Sequence, residues 1–327
     1  MLRGRRTSLV VLRRRRSLLL LRSSSSTKTT MRTSSTEAPP STTTSSMTSV
    51  FWASNSAVRL DDANVRVYGK HTDSNVPGLE RRRRLVVATW NLLAPPYAND
   101  VERQEWRSRL LSQQEQLEQI SPDVAALQEF WTASPEALEL WSAWAERREY
   151  ALVVLPRTRG KSDGCATLVR SDLFKFSHYG VGYADWGDRV CLVCDVGGLR
   201  VCNTHWTFSH DNAWDPVMRK HQARKLAEHL CPSSSVVVLG DLNGERSDPA
   251  LRVLQDAGFS LHDPDRRDWK SHYAHTNEFL ACDFVATRGT CAVSSVAIHG
   301  DNLDIAPKPP PLFRVSDHLM LSATIDF

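Results

Sequence analysis

The amino-acid sequence predicts an α/β fold, and three features carry this prediction. Short apolar runs of strand length, such as Leu85–Thr89 and Val236–Leu239, recur along the chain. Segments with helical spacing of apolar residues lie between them, and a Gly-Gly pair separates two runs of strand-forming residues. With 327 residues, the chain has room for one sheet-based domain of roughly 250 residues after a polar N-terminal tail.

The N-terminal tail differs in composition from the rest of the chain. Met1–Val50 contains ten Lys and Arg residues and a single acidic residue, Glu37. This Arg-, Ser- and Thr-rich composition is typical of transit peptides, so we expect a presequence that directs the protein to a mitochondrion or plastid. One alternative is a disordered basic tail on a cytoplasmic protein. The other is a secretory signal, but such a signal has one unbroken apolar run, and the arginines Arg13–Arg16 would interrupt it. We therefore divide the chain into a presequence at 1–55, a linker at 56–84 and a folded domain at 85–327.

The charge of the folded domain differs from that of the whole chain. The net charge of +4 falls to about −5 once Met1–Val50 is left out, because 31 basic and 36 acidic residues remain. The domain therefore lacks the basic excess typical of a nucleic-acid-binding protein. The longest aliphatic stretch, Ala151–Leu155, is far shorter than the roughly 20 residues of a membrane-spanning helix, and we expect no membrane span.

Seven cysteines, an odd number, do not suggest a disulfide framework in a chain of this length. Cys191 and Cys194 have the spacing of a redox or zinc pair, but the segment around them has the pattern of a strand. Residues three apart on a strand point to opposite faces. We therefore interpret these two side chains as core residues.

The first half of the domain begins with the strand Leu85–Thr89, followed after Pro95-Pro96 by a helix over about Val101–Gln119. A second strand, Asp123–Glu129, places Glu129 at its carboxyl end. A further helix is expected to start at Ser134, because Pro135 is favoured in the first turn of a helix.

The clearest local prediction is a β-hairpin. Strands are predicted at Val190–Val196 and Leu199–Thr204, joined by Gly197-Gly198, which can adopt the positive φ angles of a tight turn. This register pairs Asp195 with Arg200 and brings the second strand to His205.

The last third of the domain alternates helices and strands. A helix with Asp215 as its N-cap precedes the strand Val236–Leu239, and a short helix begins near Pro249. A strand follows at Cys282–Val285. The alternating apolar residues of Leu319–Phe327 predict a final strand with one buried face.

Polar residues occur at or near the ends of these strands. One such residue alone is more often a turn former than a ligand. Several in order indicate a site, because a packed sheet can project its strand ends into one cleft. The residues concerned are Asn91, Glu129, His205, Asp241, Asn243, Asp283, Asp317 and His318. They supply carboxylate and amide oxygens, the ligands that Mg²⁺ or Mn²⁺ prefers, and histidines for proton transfer.

The short motifs around these residues resemble, in chain order, those of the endonuclease/exonuclease/phosphatase superfamily. They are Leu85–Asn91 (LVVATWN), Leu127–Glu129 (LQE), Asn203–His205 (NTH), Gly240–Asn243 (GDLN), Asp283-Phe284 and Ser316–His318 (SDH). Asp163–Thr167 (DGCAT) resembles a segment found in the branch that contains carbon catabolite repressor deadenylases, nocturnin and angel proteins. Trp186–Val190 and Asn203–Asp211 resemble plant and algal relatives of that branch.

The resemblance implies a four-layer α/β sandwich, in which two packed mixed β-sheets are flanked by helices and the active site lies at one end. It also implies a divalent metal ion, Mg²⁺ or Mn²⁺. Glu129 would hold this ion with help from Asn91, and Asp317 would assist.

The same resemblance implies the catalytic roles. Asp241 would orient or deprotonate the attacking water, and Asn243 and His205 would hydrogen-bond phosphoryl oxygens. His318, held by Asp283, would stabilise the negative charge that develops on the phosphoryl group.

Two further residues are candidates for substrate binding. Asp163 would lie in a substrate-facing loop, and Arg189 would contact a phosphate or pair with a neighbouring aspartate in a turn. Trp206 would either stack on a base or lie in the core. His272 and His275 are expected in a loop near the site.

These observations predict a divalent-metal-dependent phosphoester hydrolase. The leading hypothesis is a phosphodiesterase acting on RNA 3′ ends, an exoribonuclease similar in reaction to the deadenylases. The alternative is a phosphatase or phosphodiesterase for a small molecule, such as a nucleotide cofactor, inositol phosphate or phospholipid headgroup. A basic groove formed by Arg157, Arg159, Lys161 and Arg189 would favour a polymer, and a closed pocket would favour a small molecule. We expect a monomer.

Overall fold

Strands and helices alternate along the part of the chain that the computed structural model describes, which is 58–60, 64–69, 83–210, 212–230, 235–276, 278–300 and 315–327. The predicted presequence at 1–55 lies outside these residues. The strands are β1 Val58–Leu60, β2 Arg66–Tyr68, β3 Arg84–Asn91, β4 Val124–Trp131, β5 Tyr150–Pro156, β6 Asp163–Arg170, β7 Phe176–Gly182, β8 Val190–Val196, β9 Leu199–His205, β10 Ser235–Asp241, β11 Ser260–His262, β12 His272–Tyr273, β13 Phe279–Leu280, β14 Asp283–Gly289, β15 Ala292–His299 and β16 Met320–Asp326. The helices are α1 Asp100–Gln104, α2 Trp106–Ile120, α3 Pro135–Arg147, α4 Trp214–His229 and α5 Pro249–Asp256.

Two mixed sheets of seven strands each form the centre of the fold. The first sheet has the order β1-β7-β8-β9-β10-β14-β11, and the second has the order β15-β16-β3-β4-β6-β5-β2. β9 runs parallel to β10 in the first sheet, and β3 runs parallel to β4 in the second. β12 and β13 form a separate two-stranded ribbon.

The two sheets pack face to face, and side-chain alternation along β3 shows how. Leu85 and Val87 belong to the core between the sheets, whereas Ala88 and Trp90 belong to the core under the helices α2 and α3. The helices α4 and α5 contribute Leu226 and other apolar residues to the core of the first sheet. Helix, sheet, sheet and helix form four layers, so the predicted α/β sandwich is confirmed.

Several predicted elements are confirmed in detail. The hairpin joins β8 to β9 through Gly197-Gly198, with φ angles of 58° and 100°, and Asp195 pairs with Arg200. Ser134 caps α3, since its side chain accepts from the Ala137 N–H.

Other local predictions were wrong. The helix expected over about Val101–Gln119 is divided at Glu105 into α1 and α2. Asp215 is not the N-cap of α4, which begins one residue earlier. Its carboxylate instead accepts from the backbone N–H of His210 and the side chain of Asn212, which draws the preceding loop onto the helix.

The segment predicted as a linker contributes to both sheets. Within 56–84, β1 pairs with β7 and β2 pairs with β5. Both are edge strands of three residues, which are too few to show a periodicity from which to predict them.

No described helix combines the length and the apolar character needed to cross a membrane. Among the described cysteines, Cys191 and Cys194 are buried and free, in keeping with their interpretation as core residues.

Candidate active site

The strand register of the first sheet brings three of the predicted residues into one row. Asp241, the last residue of β10, pairs with His205 on β9 and with Asp283 on β14. All three are buried. The backbone approaches closely here, because a Cβ atom on Gly240 would lie 1.9 Å from the carbonyl oxygen of Thr204. Glycine is therefore required directly before Asp241.

The second sheet supplies Glu129 through a β-bulge in β4. Leu127 pairs with Ala166 and Phe130 pairs with Gly164, so two residues of β4 lie opposite one residue of β6. Leu127 and Phe130 both face the helices. Strict alternation would turn Glu129 towards the helices too. The bulge, with φ of 48° at Glu129, lets this carboxylate point into the cleft instead.

Asn91, at the end of β3, connects the two sheets inside the site. Its Nδ2 donates to Glu129 Oε1 at 3.3 Å and to Asp241 Oδ2 at 3.0 Å. Its Oδ1 accepts from the Leu93 N–H at 3.0 Å, and the Ala94 N–H donates to Glu129 Oε2. The loop after β3 thus holds both Asn91 and Glu129 in fixed orientations.

His318 lies between two carboxylates. Its Nδ1 is 2.8 Å from Asp283 Oδ2, and its Nε2 is 3.6 Å from Asp241 Oδ2. Burial alone would lower the pKa of His318, but the charges of Asp283 and Asp241 outweigh it and raise the pKa to about 10. Ser271 also donates to Asp283 Oδ2, at 2.7 Å. His318 is therefore a fixed imidazolium at neutral pH.

His205 is the opposite case. Burial, with the positive charges of Arg189 and Arg157, holds the pKa of His205 well below its ordinary value. Arg189 Nη1 lies 2.9 Å from His205 Nδ1, which must accept because guanidinium only donates. The proton is then on Nε2, 3.4 Å from Asp241 Oδ2. His205 is thus a neutral hydrogen-bond donor.

Oδ2 of Asp241 accepts from Asn91 Nδ2 at 3.0 Å, and Nε2 of His205 and of His318 lie 3.4 Å and 3.6 Å from the same oxygen. Burial raises the pKa of Asp241, although the positive charge of His318 opposes the shift. A buried carboxylate with a raised pKa is a stronger base than an exposed one. Asp241 is therefore suited to accept a proton from a water molecule in the cleft.

These side chains open onto a cleft of about 430 Å³. The lining residues are Leu93, Tyr97, Glu129, Arg157, Lys161, Arg189, His205, Phe208, His210, Asp241, His272, His275, Asp317 and His318. Arg157, Lys161 and Arg189 form the basic wall of this cleft, and elsewhere in its lining Phe208 lies against His210, His272 and His275. A second cavity is lined by the same four residues, and Asn243 also lines it.

The acidic end of the cleft fits a divalent cation. Burial and the nearby carboxylate of Asp317 raise the pKa of Glu129 to about 7. The pKa of Asp317 stays below its ordinary value despite burial, because His272 donates to it and His318 lies close. A cation beside these two carboxylates would offset their repulsion, and oxygen donors suit Mg²⁺ or Mn²⁺.

The structure brings the predicted site residues together, but Asn243 and Asp163 do not lie where the sequence suggested. Asn243, with φ of 50°, donates its side-chain amide to Trp206 O at 2.9 Å and lines the adjoining cavity. Asp163 does not lie in a loop: it begins β6 and is fully buried, where it accepts from Tyr97 at 2.7 Å and from Arg157 at 3.0 Å.

The sequence left alternatives open at Arg189 and Trp206; the structure shows where each side chain lies, and a phosphate contact by Arg189 stays a prediction. The guanidinium of Arg189 lies in the cleft, while its backbone N–H donates to Asp185 Oδ1. Trp206 is completely buried, so it belongs to the core. Of the four basic residues expected to form a groove, Arg159 lies outside the cleft lining, and its side chain is 76% exposed beside Asp188.

The importance of His272 was not predicted from the sequence. Its ring stacks on that of His318 with centroids 4.0 Å apart and 9° between planes, and its Nε2 is 3.6 Å from Asp317 Oδ2. It lies in β12, not in a loop, and forms a backbone bridge with His318. Tyr97 and Phe208 were also missed, because tertiary packing alone brings them to the cleft.

Comparison with known proteins agrees with this geometry. The profile of the Endonuclease/Exonuclease/phosphatase family matches residues 88–318. The chain belongs to this family. The matched region contains every site residue from Asn91 to His318.

Solved structures of the family share the fold. ANGEL2, described as a 2′,3′-cyclic phosphatase, has a TM-score of 0.60 at 16% identity, over 74% of this chain and 95% of that one. The human Nocturnin catalytic domain has a TM-score of 0.58 at 18% identity, over 75% and 95%. Danio rerio TDP2, solved with a single-strand DNA product, has a TM-score of 0.56 at 18% identity, over 75% and 99%.

A curated relative from Arabidopsis thaliana, named an uncharacterized calcium-binding protein, is 24% identical over 255 residues. The match covers 65% of this chain and 52% of the relative. The chain thus spans about half the length of that protein.

Proposed function

We propose that this family member is a divalent-metal-dependent phosphodiesterase that acts on RNA 3′ ends. The observation that carries the proposal is the shape and charge of the cleft. Arg157, Lys161 and Arg189 line the cleft, and Phe208, His210, His272 and His275 line both the cleft and a second cavity that reaches Asn243. A strand passing the catalytic residues would therefore have contacts on both sides of the reacting phosphate. The relatives ANGEL2 and TDP2, solved with an adenosine-2′,3′-vanadate and a DNA product, support a nucleic-acid substrate.

The residues of the site divide the chemistry between them. Asp241 accepts the proton of the attacking water, and the His318 imidazolium, fixed by Asp283, stabilises charge on the phosphoryl oxygens. His205 donates from Nε2, and Arg189 adds positive charge behind it. These groups surround one point of the cleft, as in-line attack on phosphorus requires.

Glu129 and Asp317 would hold the metal, and Asn91 would orient Glu129. When bound, Mg²⁺ or Mn²⁺ would polarise a phosphoryl oxygen and offset the negative charge of the substrate.

A second candidate is hydrolysis of a small phosphate ester. Its support is the cleft volume of about 430 Å³, which lies within the range of small-molecule sites. Arg157 and Arg189 would then bind a terminal phosphate of a compact substrate.

The test is hydrolysis by the full chain with Mg²⁺ or Mn²⁺. Single-stranded RNA labelled at its 5′ end, with a free or a blocked 3′ end, is compared with a panel of nucleotide cofactors, inositol phosphates and phospholipid headgroups. Glu129→Ala and Asp241→Ala are the inactive controls. Stepwise shortening that requires the free 3′ end supports the proposal, and hydrolysis of small esters alone refutes it in favour of the second candidate.

The presequence is a separate proposal. Its support is the Arg-rich, acid-poor composition of residues 1–55, which suggests import into a mitochondrion or plastid.

A further inference from the structure

Two tryptophans are exposed next to each other outside the cleft. Trp186 is 64% exposed and Trp214 is 55% exposed, with ring centroids 6.3 Å apart and 54° between planes. Val217, which is 43% exposed, lies one turn after Trp214 on α4. Exposed aromatic pairs are costly in water and commonly mark contact surfaces.

Positive charge follows the aromatic pair along α4. Lys220 and Arg224 are exposed on the same face of the helix as Trp214 and Val217. At 1.5 Å per residue they lie about 9 Å and 15 Å along the axis from Trp214. In the described part of the chain, neither forms a salt bridge with an acidic side chain, whereas the neighbouring Lys225 pairs with Glu228. These four residues and Trp186 are called the α4 track below.

The α4 track is joined to the basic wall of the cleft. Trp186 lies in the turn from Asp185 to Arg189, in which the Asp185 carboxylate accepts from the Arg189 N–H and from Gln222 on α4. The carbonyl of Gly187, the next residue, accepts from the Arg157 guanidinium. A single turn of chain therefore has the cleft on one side and the exposed tryptophans on the other.

We propose that the α4 track binds single-stranded RNA upstream of the cleft. This inference rests on the RNA-end activity proposed above. Single-strand binding combines aromatic faces for base stacking with cations for the phosphates, and the track has both in line. The bases next to the hydrolysed end would stack on Trp186 and Trp214, and the phosphates before them would lie along Lys220 and Arg224.

A membrane surface is the competing occupant, but the face of α4 does not suit it. A helix that lies in a lipid interface has an apolar stripe along its whole length. Beyond Val217, the exposed residues of α4 are Lys220, Arg224 and Glu228, all charged. The apolar part is confined to the end of the helix nearest the cleft, where a substrate strand would enter.

The experiment measures the affinity of full-length protein for ten-nucleotide and two-nucleotide RNA by fluorescence anisotropy. All proteins carry Asp241→Asn, so that the RNA stays intact. Trp186→Ala/Trp214→Ala is expected to weaken ten-nucleotide binding at least about tenfold, and two-nucleotide binding much less. Lys220→Gln/Arg224→Gln is expected to reduce the slope of log affinity against log salt by about 0.7 for each phosphate that is no longer neutralised by a cation of the protein.

Matched surface variants control for general effects. Leu111→Ala and Arg147→Gln change exposed residues on α2 and α3, on the opposite side of the sandwich, and are expected to leave both affinities unchanged. Unfolding temperatures of all variants show that the fold is intact.

The inference is overturned if the tryptophan variant binds ten-nucleotide RNA as tightly as its parent, or if both RNAs lose affinity equally. It is also overturned if the parent binds anionic vesicles through these residues and binds ten-nucleotide RNA no more tightly than two-nucleotide RNA. The protein could also bind ten-nucleotide RNA tightly through the α4 track while its form without Asp241→Asn hydrolyses no RNA. That result would uphold RNA binding by the α4 track and refute the proposed activity.

Discussion

The raised pKa of Glu129 predicts that the metal-free protein loses stability as pH rises. Its pKa increases from 4.5 to about 7 in the folded protein, because burial and Asp317 disfavour the carboxylate. Between these two values the folded state binds a proton that the unfolded state has released. The stability that protonated Glu129 contributes to the folded state is therefore present below pH 4.5 and is lost as pH rises through 7. At about 1.4 kcal/mol per pKa unit, the loss is about 3 kcal/mol.

A metal ion should reverse this loss. A cation beside Glu129 and Asp317 favours the ionised carboxylate, so Mg²⁺ should stabilise the protein more at pH 8 than at pH 5. In a domain of this size, about 3 kcal/mol corresponds to roughly 10 °C in unfolding temperature.

The assay is thermal unfolding of wild-type protein and Glu129→Gln at pH 5 to 8, with EDTA or with Mg²⁺. Glutamine keeps the size of the side chain and cannot ionise. We expect the variant to lack most of the pH-dependent loss and most of the Mg²⁺ response. The reasoning is refuted if wild type and variant show the same dependence on pH and the same response to Mg²⁺.

Three further predictions follow from other parts of the structure. Asp283→Asn removes the larger of the two charges that raise the pKa of His318 to about 10, so the alkaline limit of kcat/KM should move down towards pH 7 and activity at pH 8 should fall at least about tenfold. An unchanged pH profile would contradict the assigned charge. Gly240→Ala places a Cβ atom 1.9 Å from a backbone oxygen and should lower the free energy of unfolding by about 3 kcal/mol or more. The control Gly182→Ala, whose Cβ would lie 3.4 Å from the nearest side-chain atom, should lower it much less, and equal denaturation midpoints of the two variants would disprove the clash. Residues 1–55 fused to a fluorescent protein should direct it to a mitochondrion or plastid, and diffuse cytoplasmic fluorescence would count against a presequence.

The sequence predicted the site better than the strands that support it. Apolar runs end sharply before Asn91 and at Asp241, and a polar residue at such an end is visible without a structure. By contrast, β7 begins Phe-Ser-His-Tyr-Gly and shows no regular alternation, so it was not predicted.

The rest depended on tertiary structure. A positive φ at Glu129 has no sequence signature, because glutamate seldom adopts it, and yet the bulge decides where the carboxylate points. His272 becomes important only because β12 pairs beside His318, 46 positions later in the chain. Single residues were predicted from the ends of strands, but their neighbours across the cleft were not.

The placement of β16 has a consequence for the order in which the site is assembled. This strand lies between β15 and β3, so the second sheet is split until the last ten or so residues are in position. Asp317 and His318 precede it directly. A chain whose first sheet has already paired therefore still lacks two residues of the site until β16 joins the second sheet. Completion of the site is thus tied to closure of the second sheet, and a chain that has folded only in part has an incomplete catalytic centre.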